Sequence, residues 1–281
     1  MPFLSIGDMK MRPAIFSACA VGILVAFLAG VKTQEIKSQN SNQLSPNSET
    51  PHSAPLLAPE DAAASDAAYE LAEESKSITV KVLVGGTWGS GIIVMRRDKV
   101  YTVLTNQHVL AVGDEYRIQT SDDRIHEAVP YTETDLDGHD LGLLKFSSET
   151  PYEVAIVGNS SDLQEGDAVF ATGFTLPETD NESAEFKFVG GKIALKIAKP
   201  LVGGYQVAYT NNIEKGMSGG PLLNDRGEVV AVNGMHVPLF GAPYIYRDGE
   251  TPDPALREQM RMYSWGIPIA SFLQVFPLNN R

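Results

Sequence analysis

Charge is absent from residues 14–31, and two basic residues, Lys10 and Arg12, stand just before that apolar stretch. This pattern predicts a secretory signal or an uncleaved membrane anchor over residues 1–31. The exit Ala26-Phe27-Leu28-Ala29-Gly30 has no clean small-x-small cleavage site, which favours an anchor with its positive end in the cytoplasm. Residues 32–58 are rich in Ser, Asn, Gln and Pro and nearly free of large apolar side chains. Too little apolar surface is present there to offset ordering, so a disordered linker is expected. Residues 59–77 are Ala- and Glu-rich and open on Pro59-Glu60-Asp61, the pattern of a helical lead-in with acidic residues at its N-terminus.

From residue 78 the pattern changes to short β-branched and aromatic runs separated by turn residues. Strands are predicted at 78–84, 91–95, 100–105, 116–120 and 141–146. A second group is predicted at 168–173, 186–197, 205–210, 221–223, 229–233 and 264–267. Gly85-Gly86, Asp122-Asp123, Gly203-Gly204 and Asn224-Asp225-Arg226-Gly227 mark turns between them. Two helices are expected near the end, at 254–262 and 269–276, and no internal repeat is visible. Strands this short and this closely spaced argue for an all-β domain of barrels or sandwiches over 78–281.

Composition narrows the function classes. A hydrophobic fraction of 43% suffices for a packed core, and 281 residues hold one large domain or two small ones. The net charge of -13 repels phosphate backbones and argues against a nucleic-acid partner. Cys19, in the apolar stretch, is the single cysteine. The globular part therefore has no disulfide, thiolate nucleophile or cysteine zinc site. Cys19 falls near the start of its apolar run, where a small apolar residue is a better reading than a lipid attachment site.

Three short segments carry candidate chemistry. They are Thr105-Asn106-Gln107-His108-Val109, then Asp140-Leu141-Gly142-Leu143-Leu144, then Gly216-Met217-Ser218-Gly219-Gly220-Pro221. A serine hydroxyl is a weak nucleophile until a base takes its proton, and the base needs an orienting acceptor. His108 suits the base, Asp140 the orienting carboxylate and Ser218 the nucleophile. Glycines around Ser218 permit a tight turn, which makes the Gly216 and Ser218 backbone N–H groups candidates for an oxyanion hole. Asp135 and Asp137 compete with Asp140, but only Asp140 opens an apolar run. Asp135-Leu136-Asp137-Gly138 lacks the remaining ligands of a calcium loop and reads as a turn. No metal or cofactor is therefore expected. Ser90 reads as part of a strand-entry turn, and His126 and His139 as surface residues.

At these residues the chain resembles the trypsin-like, chymotrypsin-fold serine proteases. Its nearest flavour is the bacterial type related to the HtrA proteases and to short cyanobacterial members. Gly89-Ser90-Gly91-Ile92-Ile93-Val94 and Gly227-Glu228-Val229-Val230-Ala231-Val232 add to the likeness, which covers roughly residues 78–270. The resemblance implies two β-barrels with the triad in the cleft between them. It also implies that Asn212, Gly234, Met235 and His236 line the substrate pocket. Asn212 is uncharged, so an apolar or small side chain before the cut is expected, with His236 leaving an acidic one as the alternative. Met217 stands where zymogen-activated members carry an aspartate, so the site is expected to assemble without a proteolytic cut. The chain ends soon after the last helix, so no peptide-sensing PDZ domain is expected.

The expectation is an exported or membrane-anchored serine endopeptidase acting on protein or peptide substrates. It would lie in the periplasm, a lumen or the extracellular space, and an uncleaved N-terminal segment would place it on a membrane. An inactive protease-fold peptide binder is the alternative from another class. An esterase using the same triad is a third, although the α/β-hydrolase version runs Ser, Asp, His.

Overall fold

The computed structural model describes residues 59–177, 184–235 and 244–278. The expected leader or anchor, the linker and Cys19 lie outside the described residues. Among the described residues, no helix is long and apolar enough to cross a membrane.

Helix α1 (Pro59–Ile78) leads directly into the first strand. Six strands then form a closed antiparallel barrel: β1 (Thr79–Val84), β2 (Thr87–Arg97), β3 (Val100–Thr105), β4 (Tyr116–Gln119), β5 (Ile125–Pro130) and β6 (Gly142–Ser147). Their order around the barrel is β1-β2-β3-β6-β5-β4, and β4 closes it by pairing Ile118 with Val82 of β1. A one-turn helix, α2 (Gln107–Leu110), follows β3. The second barrel comprises β7 (Ala168–Phe174), β8 (Phe186–Lys196), β9 (Val207–Tyr209), β10 (Pro221–Leu223), β11 (Val229–Met235) and β12 (Ser264–Pro268). It runs β10-β11-β12-β9-β8-β7 and closes where Leu222 pairs with Ala171. Helix α3 (Pro254–Met260) precedes β12, with Pro254 at its first turn and the Asp253 carboxylate accepting from the Leu256 N–H at 3.0 Å. Helix α4 (Ile269–Val275) ends the described chain on the outside of the second barrel.

Strand alternation sorts the apolar side chains into three layers. Ile93, Val103 and Leu144 point into the first barrel with Val80, Val82, Tyr101, Ile118 and Phe146. Their neighbours Ile92, Leu104 and Leu143 point outward and pack with Leu141, Val232, Trp265, Ile267 and Phe272 in a separate layer. Val169, Ala171, Ile193, Val207, Tyr209 and Leu222 fill the second barrel. Strands buried on both faces read as continuous apolar runs rather than clean alternation. This is why Ile92-Ile93-Val94 and Leu143-Leu144 mark strands but do not reveal which side faces which core.

The sequence pattern misses β5. Of its six positions only Ala128 is buried, so no apolar period betrays it. Backbone pairing to both β4 and β6 holds it in place and completes the ring. The one-turn helix α2 is also missed, being too short to show a period. His126 and His139 are half-buried rather than simply on the surface. His126 lies 4.9 Å from the Phe146 ring and its Nε2 is 3.0 Å from the Tyr152 hydroxyl, while His139 Nδ1 is 2.8 Å from the Leu136 carbonyl oxygen. Phe146 and Tyr152 flank the His126 ring and Gly204 lies against the His139 ring, contacts that local sequence does not display.

Tyr209 tests the packing of the second barrel. It is fully buried, its hydroxyl donates to Asn233 Oδ1 at 2.9 Å, and burial pushes the hydroxyl well above the ordinary tyrosine range. The folded state thus keeps a proton that the unfolded chain releases above about pH 10. Stability from this neutral hydroxyl is complete below that pH and declines as pH rises through it. Urea unfolding between about pH 9 and about pH 11 should show falling stability. Tyr209→Phe should flatten that fall by roughly 1.4 kcal/mol per pH unit, the value of one proton. Equal slopes in the two proteins would contradict the assignment.

Candidate active site

Each of the three candidate segments sits at a strand end, and the barrel register decides how they meet. Val109 and Leu110 of α2 are buried in the first barrel, which leaves Gln107 and His108 of that single turn facing out. β3 and β6 pair antiparallel with Thr105 opposite Gly142. The residues just after β3 therefore lie beside those just before β6, and His108 meets Asp140.

That contact has two points. Asp140 Oδ1 accepts from the His108 backbone N–H at 2.8 Å, and Oδ2 lies 2.6 Å from His108 Nδ1. Facing a carboxylate, Nδ1 carries the ring proton, and Nε2 is left as the free basic nitrogen. The His108 side chain is 47% exposed and that of Asp140 18%. Asp140 is held on its other sides as well. Its carbonyl accepts from Asn106 Nδ2 at 2.8 Å, its N–H donates to the Gly203 carbonyl at 2.8 Å, and its Oδ2 accepts from the Tyr205 hydroxyl. Tyr205 comes from the segment between β8 and β9 of the second barrel. In the sequence it reads only as the first residue of a strand, and the preceding Gly203-Gly204 turn is the one local signal.

Ser218 lies in the loop that links β9 to β10. Met217 beside it is fully buried in the second barrel and pins the loop there. Gly216 and Gly219 have φ of +93° and +87°, which side-chain-bearing residues rarely adopt. A Cβ at Gly219 would also collide with the Ser90 carbonyl oxygen and Thr105 Oγ1. The loop's carbonyls have definite partners: Lys215 accepts from the Leu176 N–H at 2.8 Å, and Met217 from the Gly220 N–H at 3.1 Å. In a planar trans peptide the N–H points opposite the carbonyl. Those two bonds therefore aim the Gly216 and Ser218 N–H groups the other way, and among the described residues neither has an acceptor.

Ser90 joins this loop to the first barrel. It lies inside β2 rather than in a strand-entry turn, because its backbone pairs with Lys81 of β1. Its N–H donates to the Ser218 carbonyl at 2.8 Å and its hydroxyl to the Gly216 carbonyl at 2.7 Å. The same hydroxyl accepts from the Phe174 N–H at 2.8 Å, and Thr105 Oγ1 donates to the Ser90 carbonyl at 2.7 Å.

His108 and Asp140 are in direct contact. The half-buried Ser218 turns its hydroxyl elsewhere, donating to the Gly234 carbonyl at 3.2 Å. Among the described residues no hydrogen bond joins Ser218 to His108. Asn212 is exposed in the same loop. Gly234 lies on β11 against the Tyr205 ring. The Met235 side chain and His236 lie outside the described residues. Asp135 and Asp137 form the expected turn, with the Asp137 N–H donating to Asp135 Oδ1 at 2.9 Å and Asp137 facing Arg247.

A family model described as a trypsin-like peptidase domain matches residues 89–232, just over half of the chain. Putative protease Do-like 14 of Arabidopsis thaliana is 33% identical over 167 residues, covering 56% of this chain and 37% of that protein. Serine protease Do-like HtrA of Bacillus subtilis is 28% identical over 152 residues, covering 53% of this chain and 33% of that protein. Putative serine protease HhoA of Synechocystis is 28% identical over 187 residues, covering 61% and 46%. The chain thus spans between about a third and a half of the length of these relatives.

Ser90→Ala tests the link across the barrels. It removes the donor to the Gly216 carbonyl and the acceptor of the Phe174 N–H in a buried setting. Stability in urea should fall by about 1–3 kcal/mol. A loss below about 0.5 kcal/mol would show that the hydroxyl does not hold the loop.

Proposed function

The chain belongs to the family of trypsin-like peptidase domains, and from that premise we propose that it is a serine endopeptidase working through an acyl-enzyme on Ser218. The observation that carries this reading is the two-point grip of Asp140 on His108. It fixes the ring in the tautomer a general base needs. A rotation of the Ser218 side chain away from the Gly234 carbonyl brings its hydroxyl towards His108 Nε2. His108 takes the proton as Ser218 Oγ attacks the scissile carbonyl carbon. Asp140 stabilises the imidazolium that forms. The Gly216 and Ser218 N–H groups, free of acceptors among the described residues, receive the oxyanion. His108 then gives its proton to the leaving amine, and water attacks the acyl-enzyme by the reverse sequence.

Further parts of the reading rest on sequence. Asn212, Gly234, Met235 and His236 line the pocket for the side chain before the cut, and an uncharged Asn212 there favours apolar or small residues. Buried Met217 supports a site that needs no proteolytic activation. The charge-free stretch after Lys10 and Arg12 supports export or membrane anchoring. A non-catalytic peptide binder is the second reading, favoured by the Ser218 hydroxyl lying on Gly234 instead of His108.

Covalent labelling with a fluorophosphonate separates the two readings. The full chain, as purified and uncut, should be labelled at Ser218, and Ser218→Ala and His108→Ala should abolish labelling. Asp140→Asn should slow peptide turnover about 10⁴-fold. No labelling of the folded chain would leave the binder. Labelling only after a specific cut would overturn assembly without activation. Among peptide libraries, apolar or small residues before the cut should exceed Arg or Lys by at least ~10-fold in kcat/KM. A preference for Arg or Lys would remove Asn212 from the pocket.

A further inference from the structure

The Tyr205 hydroxyl contacts the same carboxylate oxygen that faces the His108 ring. Its loop is fastened to Asp140 twice, by this bond and by the Asp140 N–H donating to the Gly203 carbonyl at 2.8 Å. Within the loop the Gly204 N–H donates to the Leu201 carbonyl at 2.8 Å, and the Leu201 N–H to the Tyr205 carbonyl at 3.0 Å. The tyrosine ring is 6% exposed and packs in the layer with Leu141 and Leu201. Gly234 makes the position available: a Cβ there would lie 2.5 Å from the Tyr205 hydroxyl oxygen.

We propose that Tyr205 is a positioning residue for the His108–Asp140 pair, its hydroxyl locking the carboxylate from the opposite barrel. An ionised carboxylate only accepts, so the tyrosine is the donor. Burial first, and then the Asp140 charge, push the Tyr205 hydroxyl far above the ordinary tyrosine range, so it keeps its proton. The bond does two things. It fixes carboxylate rotation, keeping Oδ1 on the His108 N–H and Oδ2 on Nδ1. It also draws negative charge away from the histidine, which sets how strongly the imidazolium is held.

Other ionisable groups around the pair have partners or lie behind it. His139 packs its ring on Gly204 and has Nδ1 on the Leu136 carbonyl oxygen, Asp137 faces Arg247, Asp135 caps its own turn, and Tyr209 lies behind Tyr205. Tyr205 is therefore the one side chain of the second barrel, among the described residues, that donates to the Asp140 carboxylate.

The consequence for turnover rests on the serine-protease reading, but the contact itself is testable without it. Tyr205→Phe keeps the ring and removes only the hydroxyl. In the full chain, the His108 ring titration is followed by NMR and the rate of fluorophosphonate labelling is measured beside it. Tyr205→Phe, Asp140→Asn and the double variant are compared with the parent. With one donor lost, Asp140 holds the imidazolium more tightly, so the His108 pKa should rise by about 0.5–1 unit in Tyr205→Phe. Labelling should slow ~10- to 100-fold, the worth of one hydrogen bond to a charged group. In the Asp140→Asn background, Tyr205→Phe should change neither quantity further. An unmoved His108 titration in Tyr205→Phe would overturn the proposal. So would an effect of the same size with Asp140 already replaced, since that marks lost packing. Absence of labelling in the parent would sink the protease reading alone, because the titration still reads the Tyr205 contact.

Discussion

Ser90 is the point at which the first barrel grips the second. Its amide and hydroxyl hold two carbonyls of the loop that carries Ser218, and Thr105 holds Ser90's own carbonyl from the strand leading to His108. One buried residue thus ties the loop that carries Ser218 to the strand pair that presents His108. The loop could not adopt this path with a side chain at position 219, because β2 comes too close. The outward direction of the Gly216 and Ser218 N–H groups follows from the same bonding. Carbonyls committed inward leave the opposite ends of their peptides directed outward.

The barrels serve this junction. Each is closed, so among the described residues neither presents a free sheet edge. Each also lends its outer face to a shared apolar layer containing Trp265, Leu104 and Leu143. That layer lets groups from two separate sheets keep fixed separations without a covalent link. Around Asp140 the same division of labour recurs: His108 and Asn106 come from one barrel, and Gly203 and Tyr205 from the other. A carboxylate so placed has little freedom to rotate, and the ring it orients inherits that rigidity.

Much of this was legible beforehand. Asn106-Gln107-His108, Asp140-Leu141 and Gly216-Met217-Ser218-Gly219-Gly220 stand out because each puts a chemical group beside glycine or at the edge of an apolar run. Most strands announced themselves through β-branched runs between turn residues. β5 did not, since five of its six side chains are not buried and ladder bonds alone keep it. Ser90 and Tyr205 were equally opaque. A buried serine in a strand and a tyrosine after two glycines have no local signature of what they touch 126 and 65 residues away.

The sequence by itself determined the all-β character of the chain, the order His, Asp, Ser, and the tight glycine turn around Ser218. These depend on side-chain period and backbone freedom, which are local properties. Tertiary structure alone decided that the Tyr205 hydroxyl donates to the Asp140 carboxylate, that the Ser218 hydroxyl lies on the Gly234 carbonyl, and that Ser90 joins the barrels. Each of those is a contact between strands distant along the chain. Such contacts exist only once barrel closure and register have set which residues face one another.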